Sequence, residues 1–508
     1  MSSPTVEADE LAAWIVDGGE LAVLDAREQG VFLAGHLFHA ACVPLSHLEL
    51  QLPVVVPRPG TRIVWCDGGS GVLAARAAAR AAELGWVDCS VLAGGTRAWA
   101  ASGRELYAGV NVPSKAFGEH VEHTYGTPRL PAADVKAMLD RGDDVVVLDS
   151  RPMQEFRRMS IPTGVDCPGA ELVHHVKQVV TDPETLVVVN CAGRTRSIIG
   201  SQSLINAGLE NRVVALENGT MEWELAGFEV AHGLDVHAPA PDPTARAWAE
   251  AAASQVGRRF GVREIDHTEL DAWRSDTGRT TVVFDVRTPD EYEAGHLPGS
   301  VSAPGGQLVQ ATDEYVATRN ARLVLVDDTG VRATMTASWL RQMGWHDAVV
   351  LARALEGVEL ETGRPPRRSV GRMPTTSVSD LAAMLDAGQP VAVIDIGTSL
   401  KYRDKGHIPG AWWGVRSRLD EARSVIGDVD RLVLTSTDGQ LAKLAVDDAR
   451  REWPDVEVTA LAGGTKAWRH AGHEMEPGFT RPTTEPDDVW YKPYDHEGDV
   501  VEQHMRDY

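Results

Sequence analysis

The chain has 508 residues, 43% of them hydrophobic and 24% charged, which excludes a disordered polymer and points to several globular domains rather than one core. A formal net charge of −24 argues against nucleic acid or an anionic membrane surface as the main partner, and no stretch approaches the roughly 20 apolar residues that span a bilayer. The opening MSSPTVEADELAAW is acidic and lacks a basic n-region and an apolar h-region, so no secretory signal is expected and the protein is assigned to the cytoplasm.

Four copies of one unit follow in chain order. The first, placed at residues 1–110, has an amphipathic stretch ADELAAWI, an apolar run ending at Asp25, Arg27 two places on, and GHLF from Gly35. It continues with a second apolar run, RIVW, an Ala-rich helix ending near Gly85-Trp86, and Gly-Thr-x-x-Trp closing at Trp99. The second, at 128–236, has AADVKAML, VVVLD to Asp149, Arg151, a divergent MSIPTG turn from Met159, LVVV, and a closing Trp223. The third, at 262–366, has HTELDAW, TVVFD to Asp285, Arg287, GHLPG from Gly295 and RLVLV, but ends in a degenerate LARALEG. The fourth, at 374–476, has VSDLAAML, VAVID to Asp395, Gly397 in place of the Arg, GHIPG from Gly406, RLVLT and Trp468. Strand-like runs alternating with helical ones imply βα units and a mainly parallel sheet covered by helices. Residues 233–262 and 362–376 read as polar, Pro-rich connections. Residues 477–508 form an acidic tail whose Trp490, Tyr491 and Tyr494 imply docking on a domain.

Asp-x-Arg, the Gly-His-Ile/Leu-Pro-Gly turn, a strand ending in a short loop and a final Gly-Gly-x-x-x-Trp together resemble the rhodanese superfamily. A tandem of four such repeats resembles multidomain sulfurtransferases in which one repeat keeps the active cysteine. The resemblance implies an α/β fold of four tandem rhodanese-like domains, each a mainly parallel sheet flanked by helices.

The five cysteines, Cys42, Cys66, Cys89, Cys167 and Cys191, are odd in number and include no CxxC pair. They make neither a disulfide framework nor a zinc site. In the family the nucleophile opens the loop after the second apolar strand. Cys191 meets that description, 42 residues after Asp149 and 28 before Gly219. The same spacing lands on Asp67 in the first copy; counted from Asp285 it lands on Asp327 in the third, and counted back from Gly464 on Ser436 in the fourth. Cys66 falls one residue early, still on the strand, and a slip of one turns a strand side chain to the other face. The resemblance therefore assigns catalysis to Cys191 alone.

The loop reads CAGRTR, between a strand ending at Asn190 and a helix expected to start near Ser197. Backbone N–H groups and the positive helix end would hold a thiolate there. Gly193 gives the backbone freedom. Arg194 and Arg196 supply charge for an anionic sulfur donor, and Ser197 would cap the helix or donate to the sulfur. Ala192 and Thr195 complete the predicted substrate-binding loop. Arg151 reads as structural, because Arg27 and Arg287 occupy the same place in copies without a nucleophile.

The resemblance implies double displacement: Cys191 takes sulfur from thiosulfate or a low-molecular-weight persulfide, holds it as a persulfide, and passes it to a thiol or to cyanide. The covalent intermediate carries the group, so no metal or organic cofactor is called for. Cys167 is read as packed, with a resolving role as the lesser alternative, and His174-His175 as ordinary core or surface residues. A phosphatase or arsenate reductase of this fold would need five residues between Cys and Arg, and Cys191 and Arg196 are separated by four. A non-enzymatic sulfur-relay or sensing scaffold is the other alternative.

Overall fold

The apolar runs ending in Asp become central strands because Val, Leu and Ile suit a sheet covered on both faces. The computed structural model describes residues 3–364, 371–496 and 500–507. Residues 365–370 of the second Pro-rich connection, and 497–499 and 508 of the tail, lie outside the described residues.

The first sheet holds β1 (Thr5–Val6), β2 (Leu21–Asp25), β3 (Ala40–Cys42), β4 (Arg62–Cys66) and β5 (Cys89–Leu92). The second holds β6 (Arg129–Leu130), β7 (Val145–Asp149), β8 (Gly164–Asp166), β9 (Leu186–Asn190) and β10 (Val213–Leu216). The third holds β11 (Arg263–Ile265), β12 (Thr281–Asp285), β13 (Val301–Ser302), β14 (Arg322–Val326) and β15 (Ala348–Leu351). The fourth holds β16 (Thr375–Thr376), β17 (Val391–Asp395), β18 (Trp412–Trp413), β19 (Arg431–Thr435) and β20 (Glu457–Leu461). Each has the same order, β1-β5-β4-β2-β3 in the first, with helices on both faces. The named strands pair in parallel, as in β7 with β8 and β9. This is the α/β architecture of four tandem repeats.

Within repeat 2 the strand period of two divides the core. Val187 and Val189 pack with Leu172, Val176 and Leu204 on one face; Val188 packs with Val135, Val214 and Trp223 on the other. Asp149 lies opposite Asn190 in the ladder, so the chain leaves β9 at the carboxyl edge of the sheet, where open α/β sheets place their sites.

The recurring Asp-x-Arg closes that edge. Arg27–Asp25, Arg151–Asp149 and Arg287–Asp285 are buried ion pairs at 2.6, 2.7 and 2.6 Å. Each guanidinium also donates to the turn carbonyl eight residues on, of Gly35, Met159 or Gly295. In the fourth repeat Gly397 keeps only the backbone N–H bond to the Asp395 carboxylate (2.8 Å), which the other three repeats also make, and lacks the guanidinium.

The connections carry more structure than their composition suggests. Residues 233–262 contain a helix, Pro243–Arg259, started by Asp242, whose carboxylate accepts from Ala245 N–H, and by a proline in the first turn. Its Ala249, Ala253 and Val256 are buried between repeat 2 and Val331 and Met335 of repeat 3. A second connecting helix, Val112–Tyr125, sends Phe117 and Val121 into a core shared with repeat 3. The tail docks on three repeats: Gly30 N–H donates to Asp487 O at 2.9 Å, Ser399 N–H to the Asp488 carboxylate at 2.9 Å, and Arg158 to Tyr494 O at 2.9 Å. Among the described residues no helix is long and apolar enough to cross a membrane.

Candidate active site around Cys191

Cys191 is the first residue after β9 and is 2% exposed. The loop Cys191–Arg194 is held from beneath by the start of the helix Gly219–Leu225. Thr220 N–H donates to Cys191 O (2.8 Å), Met221 N–H to Ala192 O (3.1 Å), and the Thr220 hydroxyl to Cys191 O (3.1 Å). Gly219 has φ +61°, and a Cβ there would stand 2.3 Å from Cys191 O and 2.6 Å from Gly193 O. This explains the Gly-Thr of the closing motif: only glycine lets the helix start against the loop backbone. Asn190 ties the strand end to both neighbours, donating to Asp149 and to Thr220 Oγ1 at 2.9 Å each.

The helix begins at Thr195, two residues before the position expected from sequence. Ser197 therefore sits inside the first turn rather than capping it. Its hydroxyl donates to Arg194 O (2.7 Å), and the Cys191 thiol points at Ser197 Oγ from 3.7 Å.

In the degenerate repeats the equivalent loop holds a side chain of its own. In repeat 1 the Asp67 carboxylate accepts from the N–H groups of Gly69, Gly71 and Ala74 at 2.8, 3.0 and 3.3 Å. In repeat 3 Asp327 accepts from Gly330, Arg332 and Ala333 at 2.6, 2.8 and 3.2 Å. Ser436 in repeat 4 accepts from Ala442 N–H at 3.2 Å. A carboxylate thus fills a nest of inward amides in two repeats. By position, the amides matching those around Asp327 are Arg194, Arg196 and Ser197 in repeat 2, where Cys191 replaces the acid.

Both loop arginines carry carboxylate partners. Arg194 pairs with Glu119 (2.8 Å) and Glu122 of the connecting helix Val112–Tyr125. That helix also presses on Thr195, whose Cγ2 would lie 3.0 Å from a Cβ on Gly118. Arg196 pairs with Glu155 of its own repeat (2.8 Å) and reaches Gln307 of repeat 3 (3.4 Å). Burial pushes the Glu155 carboxyl up, but Arg196 outweighs it and brings the group down to about 2. From the tail, Lys492 approaches Glu155 at 3.8 Å.

Repeat 3 mirrors this arrangement. Arg332, five residues after Asp327 as Arg196 is after Cys191, pairs with Glu291 of its own repeat (2.8 Å) and with Glu171 of repeat 2 (3.2 Å). Glu171 and Gln307 are themselves equivalent, 22 residues after Asp149 and Asp285. The two repeats therefore face each other about a local pseudo-two-fold, with Gly169 against Gly306, where a Cβ on Gly306 would fall 3.0 Å from Gly169 N. The facing partners Gln307, Glu119 and Lys492 were not found from sequence; the recurrence of Arg five places after Cys191 and after Asp327 was the available signal.

The remaining candidates lie elsewhere. Cys167 is fully buried in the repeat 2 core, and burial raises its thiol well above the usual range. Burial does the same to Cys42 and Cys66 and pushes Cys89 up to about 11. His175 bonds Pro239 O and Glu171, and burial brings His174 down to about 4. Among the described residues no group of three or more His, Cys, Asp or Glu is placed to hold a metal ion.

The rhodanese-like domain family model matches residues 7–102, 131–226 and 266–361; the fourth sheet falls outside these matches. Over 99% of this chain and 95% of the other, the structure is similar to the crystal structure of thiosulfate sulfurtransferase from Pseudomonas aeruginosa, with 45% identity and a TM-score of 0.95. Among curated relatives, a putative sulfur carrier protein of Bacillus subtilis is 24% identical over 139 residues, 23% of this chain and 74% of the relative. An HTH-type transcriptional regulator of Mycobacterium tuberculosis is 29% identical over 93 residues, 18% of this chain. The match spans only 40% of that regulator's length.

Proposed function

The chain belongs to the rhodanese-like domain family, and we propose that it is a sulfurtransferase that carries the transferred sulfur on Cys191. The thiolate attacks the outer sulfur of thiosulfate, forming a Cys191 S–S bond while sulfite leaves with the electron pair of the broken bond. An acceptor thiol, or cyanide, then attacks the outer sulfur and returns the Cys191 thiolate. A low-molecular-weight persulfide is the alternative donor. Arg194 and Arg196 receive the anionic end of the donor, and the backbone of Ala192, Gly193, Thr195 and Ser197 surrounds the sulfur. Repeats 1, 3 and 4, within the boundaries read from sequence, carry no nucleophile and serve to shape the site. The protein acts in the cytoplasm.

The observation that carries this reading is the amide nest filled by Asp67 and Asp327 in the sister repeats. A loop that hydrogen-bonds a carboxylate suits an anionic sulfur equally well. The test is steady-state transfer of sulfur from thiosulfate to cyanide by wild type and Cys191→Ser. Wild-type turnover that vanishes in the variant is the expected result. Turnover that survives would move the nucleophile elsewhere. A wild type inert to thiosulfate that gains one sulfur atom by intact mass after persulfide treatment would change the donor and keep the chemistry.

A further inference from the structure

Away from Cys191, repeats 1 and 3 and the connecting helix Val112–Tyr125 enclose a cavity of about 290 Å³. None of residues 191–197 lines it. Phe38, Phe117 and Trp345 give it aromatic walls, and His39, Arg319 and Asp313 supply its ionisable groups.

Arg319 is the anomaly. Other arginines at repeat interfaces have carboxylate partners, as Arg416 has Glu49 and Arg332 has Glu171. Arg319 has none: its Nη1 donates to His39 Nδ1 at 2.7 Å, and its buried Nε has no hydrogen-bond partner. Accepting that bond requires His39 to be neutral at Nδ1, and burial together with Arg319 pushes His39 down to about 4. Burial likewise lowers Arg319, with no carboxylate to oppose it. A desolvated cation without a counter-charge is expensive unless something supplies one. The Gln310 Oε1 on the same wall is also buried and unpartnered. Asp313, whose carboxyl burial pushes up to about 7, adds a protonatable group to the lining. The volume, a little below the usual range for ligand pockets, suits a small organic molecule.

We propose that this cavity is a binding site for a small organic carboxylate, its acid head on the Arg319 guanidinium and its apolar body against Phe38, Phe117 and Trp345. The carboxylate is the counter-charge that the chain itself leaves out, and the planar fork of arginine matches it.

Thermal melting and hydrogen exchange of the full chain test this, with benzoate as the probe. Wild type should show a saturable rise in melting midpoint of a few degrees, with added protection at residues 38–41 and 310–319. Arg319→Met should lose the benzoate-dependent rise and, unliganded, melt at or above wild type, because a half-buried cation without a counter-charge has been replaced by an apolar isostere. Four outcomes would overturn the proposal: no saturable rise with benzoate, protection confined to residues 191–197, a rise that survives in Arg319→Met, or an unliganded Arg319→Met that melts below wild type. A rise with sulfite but not benzoate would make the site one for inorganic oxyanions and also overturn it.

Discussion

At Gly219 the backbone is left-handed and its missing side chain faces the carbonyls of Cys191 and Gly193. Gly219→Ala combines strain at positive φ with a contact no real Cβ tolerates, so the helix or the loop must move. The expected cost is about 1–3 kcal/mol of stability, read by denaturant unfolding, and a larger proportional loss of sulfur transfer. Transfer at the wild-type rate would show that the loop does not depend on this packing. The closing Gly-Thr-x-x-Trp run was legible in three of the four copies, and in repeat 2 the spacing from Asp149 and to Gly219 singled out Cys191 as the candidate position. The partners of Arg194 and Arg196 were not visible. Glu119 and Gln307 lie 75 and 111 residues from the arginines they meet, and one-dimensional spacing within a repeat says nothing about which repeat faces which.

The elements that were hardest to read are those between repeats. Residues 233–262 look Pro-rich and polar, yet Asp242-Pro243 is a helix start and the alanines beyond it bury against two repeats. The helix after Cys191 starts at Thr195 because Arg194 already takes the flanking position, and no proline or capping side chain marks that start. The segment after the third strand likewise becomes an interface in both halves of the molecule. It joins repeat 2 to repeat 3 at Gly169 and Gly306, and repeat 1 to repeat 4 through Arg416, which pairs with Glu49 at 2.7 Å, and Ser417, which donates to Glu28 at 2.9 Å. Arg416→Met would leave the buried Glu49 with Arg80 alone (2.8 Å) and take Asp448's buried partner away, a loss of up to about 3–5 kcal/mol, the cost of a fully broken buried pair. Faster hydrogen exchange in residues 44–49 and 414–419 is the expected sign. Unchanged protection there would mean the pair adds nothing to docking.

Across the whole molecule, buried carboxyls of two kinds set the pH response. Burial pushes Glu28, Asp166 and Asp313 up to about 7 and Asp327 up to about 6. Such groups hold their protons in the folded chain while the unfolded chain has released them, so stability falls as pH rises from about 4 to 7. Glu49, Glu155 and Glu291 behave oppositely. Burial raises them, but Arg416, Arg196 and Arg332 outweigh it and bring each to about 2. Their contribution is present above the unfolded value near 4.5 and is lost as pH falls toward 2. Melting midpoints should therefore rise on acidification from pH 8 to about 5, helped by relief of the −24 net charge, and then drop steeply. A midpoint that climbs steadily from pH 5 to 8 would contradict the assignment of the raised group.

The face-to-face pairing of repeats 2 and 3 has the form of a symmetric dimer written into one polypeptide. In a true homodimer, every substitution appears on both sides of the axis at once. Covalent linkage removes that constraint. It allows Glu171 on one side where Gln307 stands on the other, and Cys191 opposite Asp327. Arg332 is thereby committed to a full carboxylate across the boundary, while at the equivalent place Arg196 meets the neutral amide of Gln307. The fusion is thus a licence for division of labour: one half can specialise for reaction while its twin specialises for support, an asymmetry that no pair of identical subunits could encode.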